Sequence, residues 1–307
     1  MIQINELRSI VKGSLLENEP MSKHTSYGIG GPASAYITPK DRDDLCSILK
    51  FAVKNDITVY FIGSGSNLLV SDDGINGIVI SPAKSLRMLE IEDNSIVAES
   101  GVMLGKLVKE TMKRNLTGLE SLIGVPGTLG GALIMNAGAF GGEISNYLIS
   151  VDVMTSKGKL KSYKADEIDF SYRFSSFSTN EFILLARFTL EFEDPNIISE
   201  RRKMASSGRK TNQPLRFRSA GSVFKNPKDH AAGYLIDKVG LKGKRIGDAE
   251  ISTHHANFFI NHGNASASDI TELIELAKNA VLKKFDIELE LEIKTIGFEQ
   301  DKVVARG

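Results

Sequence analysis

Residues 124–142 read Gly-Val-Pro-Gly-Thr-Leu-Gly-Gly-Ala-Leu-Ile-Met-Asn-Ala-Gly-Ala-Phe-Gly-Gly, with seven glycines in nineteen positions. Glycine tolerates φ > 0 and carries no Cβ, so such a run lets backbone amides close on a bulky polar ligand. Consecutive amides of this kind form anion nests and helix-start phosphate sites. Val125, Leu129, Leu133, Ile134 and Met135 are interleaved. A flexible Gly/Ser linker would lack them, so the segment is expected to be half buried, with Pro126 and Asn136 fixing turns. Two readings stay open at this point: a packed pair of turns, or a cradle for a cofactor.

The 307 residues suffice for two or three domains. Thirty-eight acidic and 38 basic residues cancel, so no global field recruits nucleic acid or an anionic membrane. A single cysteine, Cys46, excludes an intrachain disulfide framework and a cysteine-based metal site. No apolar run approaches the roughly 18 residues of a membrane span. The start, Met1-Ile2-Gln3-Ile4-Asn5-Glu6, lacks the basic and apolar regions of a signal peptide. A cytoplasmic protein without nucleic-acid or membrane partners is expected.

Along the chain, residues 1–20 are expected to hold a short helix, 33–38 a strand, 41–55 an amphipathic helix and 57–62 a strand. That strand runs into Gly63-Ser64-Gly65-Ser66-Asn67-Leu68. A Rossmann fingerprint needs glycine where Leu68 stands, then a helix and a ribose-binding acid. Here a second short strand, 69–70, follows. By itself the loop reads best as a tight hairpin turn, with a pyrophosphate holder as the alternative. Strands are expected at 77–80 and 95–98, a helix at 104–114, a hairpin at 148–155 and 160–163, and a strand at 182–192. A charged helix over 197–210 leads to a last domain. That domain holds the small-residue turn 219–227, a helix at 232–239 and a strand at 255–261. A helix capped by Ser268 or Asp269 and an alternating strand at 287–296 complete it.

Several residues invite chemical readings. Ser222 and Lys225 have the Ser-x-x-Lys spacing of penicillin-recognising enzymes, but the accompanying Ser-Asp-Asn and Lys-Thr-Gly elements are missing from the sequence. His254 and His255 would point to opposite faces of a strand, and no metal-ligand spacing supports them, so no metal is expected. Arg173, set among aromatics, suits a bidentate clamp on an anion or a stem packed on rings. Glu288, Glu290 and Glu292 share one strand face, most simply the solvated one.

Five segments in order carry a resemblance. They are Gly63-Ser64-Gly65-Ser66-Asn67-Leu68-Leu69, the stretch Gly124-Val125-Pro126-Gly127 through Gly141, Tyr172-Arg173, Ala220-Gly221-Ser222-Val223-Phe224-Lys225-Asn226-Pro227, and Leu289-Glu290-Leu291-Glu292-Ile293. Together they resemble the UDP-N-acetylenolpyruvoylglucosamine reductase (MurB) family over roughly residues 20–298. The short last domain is similar to the type II branch, which lacks an extra tyrosine loop. The resemblance implies an α+β fold. A two-lobed FAD-binding domain of the vanillyl-alcohol-oxidase (PCMH) type, lobes 1–82 and 83–200, would precede an α+β substrate-binding domain at 201–307.

It further implies non-covalent FAD held by Gly63, Ser64, Gly65, Ser66, Asn67, Pro126, Gly127, Gly131, Ile134, Asn136, Ala137 and Gly138. NADPH would reduce the flavin, and UDP-N-acetylglucosamine enolpyruvate would then take the hydride, a step of peptidoglycan precursor synthesis. Arg173 and Glu292 match the residues that stabilise the enolate intermediate, and Ser222 matches the proton donor. Tyr172, Gln213, Lys225, Asn226 and His255 match substrate contacts. The sequence departs from the family pattern at Ser64, where glycine is commoner, and at Arg218 and Leu291, where proline is frequent. The alternatives are another FAD-dependent oxidoreductase on the same scaffold and a non-catalytic flavin or nucleotide-sugar binder.

Overall fold

The computed structural model describes residues 2–298. It divides into two compact units. The first gathers the chain up to Asn18, Ser34–Ser64 and Gly77–Gly208; the second gathers Glu19–Ala33, Gly65–Asn76 and the chain from Arg209 onward.

In the first unit, α1 (Ile4–Ile10) is followed by the strand Ser14–Pro20, so the helix expected over 1–20 is confined to its first half. The reason lies in Asp44, a fully buried carboxylate that accepts the amides of Lys12, Gly13 and Lys40 at 2.7–2.9 Å. The amides that would have continued α1 are drawn off to that side chain. Asp44 itself sits in the first turn of α2 (Arg42–Lys54), whose N-cap Asp41 accepts the Asp44 amide. A sheet with strand order 14–20, 32–38, 75–80, 59–61 lies over α2. Its core contains Ala35, Ile37, Leu45, Ile48, Leu49, Ile78 and Ile80.

A five-stranded antiparallel sheet follows, ordered 160–164, 148–155, 181–189, 95–99, 89–92. The expected hairpin at 148–155 and 160–163 is its edge, paired from Ser150↔Lys164 to Met154↔Leu160. The strand Glu181–Thr189 is covered on both faces. Ile183, Ala186 and Phe188 join the core of α3 (Leu104–Met112), while Phe182, Leu184 and Leu185 join that of α2. That explains the continuous apolar run 182–186 within it. The six-residue helix α4 (Leu129–Ile134) interrupts the glycine-rich stretch, capped by Thr128, and α5 spans Pro195–Asn212.

The second unit packs α6 (Ala232–Lys238) and α7 (Ala267–Phe285) on a small antiparallel sheet, 245–246, 249–251 and 259–261. The cap of α7 is Ser266, two or three residues earlier than the sequence suggests. Ser266 and Asp269 form a reciprocal capping box, and the Asp72 carboxylate also takes the amides of Ala267 and Ser268. The strand expected over 255–261 is reduced to its last three residues. The Ser252 hydroxyl accepts the amides of His254 and His255, which folds 252–258 into a turn. The strand expected over 287–296 forms a ladder only at Lys294–Ile296, parallel to Leu68–Val70. Before that, its backbone bonds singly to the segment 223–225.

Candidate functional site

The first unit carries the glycine-rich stretch and Arg173. Gly63 ends the strand Val59–Phe61, its carbonyl held by the Ser81 hydroxyl at 3.0 Å. A Cβ on Gly63 would stand 2.4 Å from Thr128 Oγ1, so the two glycine-bearing loops touch where a side chain has no room. Thr128 Oγ1 also accepts the Gly131 amide at 3.4 Å, and Gly130 N–H donates to Ser100 O. Beyond α4, Asn136 is fully buried with φ +40°. Its Nδ2 donates to Glu143 Oε2 at 2.8 Å and to the Ser171 carbonyl at 3.1 Å. Its Oδ1 is buried without a protein partner.

Tyr172 and Arg173 form the tip of a two-residue hairpin between Phe170–Ser171 and Phe174–Ser175. Arg173 takes the left-handed φ of +57° that such a tip requires. The hairpin is tied to the glycine-rich stretch a second time, by Ser175 Oγ donating to Ile134 O at 2.8 Å. The Arg173 guanidinium stacks 5.0 Å from the Tyr172 ring centre. A Cβ on Gly138 would lie 3.5 Å from Arg173 Nη1, so the fork rests above bare backbone.

The second unit carries the remaining candidates. Gly65, φ +67°, packs so closely that a Cβ would fall 1.9 Å from the His24 carbonyl oxygen. Among the described residues, the amides of Ser64 and Gly65 meet no protein acceptor. Asn67 is committed within the unit: its Nδ2 donates to Glu292 O at 3.0 Å and its carbonyl accepts Lys294 N–H.

Ser222 is half buried, preceded by Gly221 at φ +80°. Glu292 N–H donates to Val223 O at 2.8 Å, and Lys225 N–H donates to Glu290 O at 2.9 Å. The segments that carry Ser222 and Glu292 are thus joined by backbone pairing. Glu290 is mostly exposed and its carboxylate is occupied by Lys225 Nζ at 2.5 Å, whereas Glu292 is half buried. Leu291, where the family favours proline, bridges to Phe224 and packs on the unit's core. Arg218 keeps its backbone pairing with Asn261 while its side chain covers Gly28.

Asn226 Oδ1 accepts the Ala232 amide at the start of α6, a structural use of a residue expected to touch substrate. Gln213 is half buried just past the end of α5. His255 Nδ1 accepts the Asn257 amide, which puts the neutral ring's proton on Nε2. Burial lowers the His255 pKa, and the charges of Lys242 and His254 push the same way.

These residues suit a flavin nucleotide. Bare amides stand at the 63–65 turn, Gly63 and Gly65 pack where no side chain has room, and a buried Asn136 acceptor has no protein donor. Sequence reasoning missed Thr128 and Asn257. Thr128 reads only as one more small residue, and nothing in His-Ala-Asn-Phe marks Asn257 as buried.

Comparison with known proteins agrees with the geometry. The family "UDP-N-acetylenolpyruvoylglucosamine reductase, C-terminal domain" matches residues 213–296, and "FAD binding domain" matches 33–163. The chain is 42% identical to the UDP-N-acetylenolpyruvoylglucosamine reductase of Clostridium tetani over 97% of both chains. It is also 42% identical to that of Listeria welshimeri, over 92% of this chain and 96% of the relative. The crystal structure of MurB from Thermus caldophilus superposes with a TM-score of 0.80 at 34% identity, covering 93% of this chain and 99% of that one. The fold is α+β with an FAD-binding domain of the PCMH type. Among the described residues, no helix is long and apolar enough to cross a membrane.

Proposed function

The chain belongs to the UDP-N-acetylenolpyruvoylglucosamine reductase (MurB) family, and from that premise we propose that it is the NADPH-dependent flavoenzyme converting UDP-N-acetylglucosamine enolpyruvate to UDP-N-acetylmuramate. Its place is the cytoplasm, in peptidoglycan precursor synthesis. The lobes 1–82 and 83–200 bind FAD and the domain 201–307 binds substrate, a division supported by the two family matches.

When bound, FAD would supply the hydride chemistry that links NADPH to the terminal enol carbon of the substrate. Gly63 to Asn67 would offer backbone amides to its phosphates, and Pro126 to Gly138 would line it with backbone and the buried Asn136 Oδ1. Hydride addition moves the double-bond electrons toward the neighbouring carbon and its carboxylate. Arg173 meets the growing negative charge with its planar fork, and a protonated Glu292 donates a hydrogen bond to it. Ser222 gives its hydroxyl proton to the adjacent carbon. A hydroxyl is a weak acid in water, but a strongly basic carbanion held in contact with it is protonated readily. Ser222 then recovers a proton from solvent. Tyr172, Gln213, Lys225, Asn226 and His255 hold the substrate, His255 through the Nε2–H its tautomer leaves free to donate.

The observation that carries this reading is the pairing of Glu292 N–H with Val223 O, which sets the glutamate against the segment bearing Ser222. The test is Ser222→Ala in separated half-reactions. Reoxidation of the reduced flavin by the enolpyruvyl substrate should slow by about 10²–10⁴, with FAD retained and NADPH reduction intact. Unchanged reoxidation would remove Ser222 from the mechanism.

A further inference from the structure

The Asn257 side chain makes two hydrogen bonds to the Ser222 segment, and no catalytic role explains them. It is buried at 3% exposure. Its Oδ1 accepts Phe224 N–H at 2.9 Å and its Nδ2 donates to Phe224 O at 2.8 Å. Its own carbonyl accepts Val223 N–H at 2.8 Å. Three of the four backbone polar groups in Val223–Phe224 therefore end on one residue; the fourth, Val223 O, takes Glu292 N–H. On the other side of Ser222, Gly221 is left-handed with open space where a side chain would be, so packing does not hold the turn there.

We propose that Asn257 is the positioning residue for Ser222, fixing the proton donor through a side-chain amide that pairs with Phe224 as a neighbouring strand would. This rests on Ser222 being the proton donor. A hydroxyl that must meet a carbon atom in line depends on placement, and a misplacement of about 1 Å costs on the order of a hundredfold in rate. Asn257 also joins the two sides of the site chemistry, because its N–H bonds to His255 Nδ1 at 3.2 Å.

The amide is the side-chain group of its size that accepts from N–H and donates to C=O at every ordinary pH, with no change of protonation. Aspartate in its place accepts from Phe224 N–H but turns a second bare oxygen toward Phe224 O. Protonated, the same aspartate donates to that carbonyl and restores both bonds. Burial and the facing carbonyl raise such a carboxyl above its ordinary range.

The experiment is anaerobic stopped-flow on FAD-loaded Asn257→Asp and Asn257→Ser, following NADPH reduction and substrate reoxidation separately. Hydrogen exchange of the peptide spanning residues 221–225 is followed in parallel. Expected for Asn257→Asp is reoxidation slowed about tenfold or more at about pH 8, reduction within twofold of the parent, and recovery of reoxidation as pH falls. Asn257→Ser, small enough to be tolerated with water, should be slow at every pH and should exchange the peptide's amides at least tenfold faster. Unchanged reoxidation, equal slowing of both half-reactions, or an Asp deficit that ignores pH would overturn the proposal. Normal reoxidation by Ser222→Ala would overturn the proton-donor reading itself, and this inference with it.

Discussion

Asn136 Nδ2 donates to the carbonyl of Ser171 at 3.1 Å, so the buried end of the glycine-rich stretch holds the strand that delivers Tyr172 and Arg173. Arg173 is thereby presented on a rigid hairpin rather than a mobile loop. Arg173→Lys keeps the charge and loses the planar fork. Reoxidation of flavin by substrate should slow by about 10–100-fold while NADPH reduction stays within twofold. Stopped-flow rates check this, and equal loss in both half-reactions would contradict the role.

Gly63→Ala places a methyl 2.4 Å from Thr128 Oγ1, and the hydroxyl must move away from the Gly131 amide it accepts. The variant should purify with little flavin and bind added FAD at least tenfold more weakly, a change of about 1.4 kcal/mol. Thr128→Ser keeps the cap and should bind FAD almost as the parent does. Flavin absorbance after purification and a fluorescence titration read both.

Asp44→Ala strands the amides of Lys12, Gly13 and Lys40. Each deserted donor costs about 1–3 kcal/mol where water does not reach it. The variant should lose several degrees in thermal midpoint, with flavin reduction kinetics unchanged in the folded fraction. A midpoint within one degree of the parent would show that these bonds are replaceable by solvent.

His255 is held neutral, its pKa lowered chiefly by burial. A group whose folded pKa lies below its unfolded value of about 6.5 stabilises the fold fully above that value. The contribution is lost as pH falls through the lowered pKa, because protonation then favours the unfolded chain. The difference in thermal midpoint between parent and His255→Gln should therefore shrink as pH drops from about 7.5 to about 5. A difference that stays constant, or a ring titration above the ordinary histidine value, would contradict this.

Much of the fold was legible. The strong periodicities over 41–55, 104–114 and 148–163 became α2, α3 and the edge hairpin within a residue or two. The misreadings fall where one polar side chain draws off backbone amides. Asp44 ends α1, Ser252 folds the turn before Phe259, and Ser266 with Asp72 takes over the start of α7. Asp44 and Asp72 reach amides far away in sequence, Ser252 and Ser266 reach amides within three residues, and none of them leaves a periodic trace. In 287–296 the alternation correctly gave the faces, with Leu289 and Ile293 buried, but not the missing ladder. As for the site, Gly63, Gly65, Arg173 and Ser222 stand on backbone geometries that make their motifs intelligible. Glu292 was separable from Glu290 by resemblance alone; in the structure Glu290 is exposed and pairs with Lys225, and Glu292 is half buried. Asn257 carried no signal, since its importance lies in what it bonds.

The central claim is that one flavin links NADPH to the enolpyruvyl substrate. The direct measurement is the visible absorption spectrum of the purified protein, followed anaerobically through addition of NADPH and then of UDP-N-acetylglucosamine enolpyruvate. Oxidised-flavin bands that bleach with NADPH and return only with the substrate are the predicted result. A flavin that bleaches but ignores this substrate, or a protein that stays colourless when given FAD, would contradict the account.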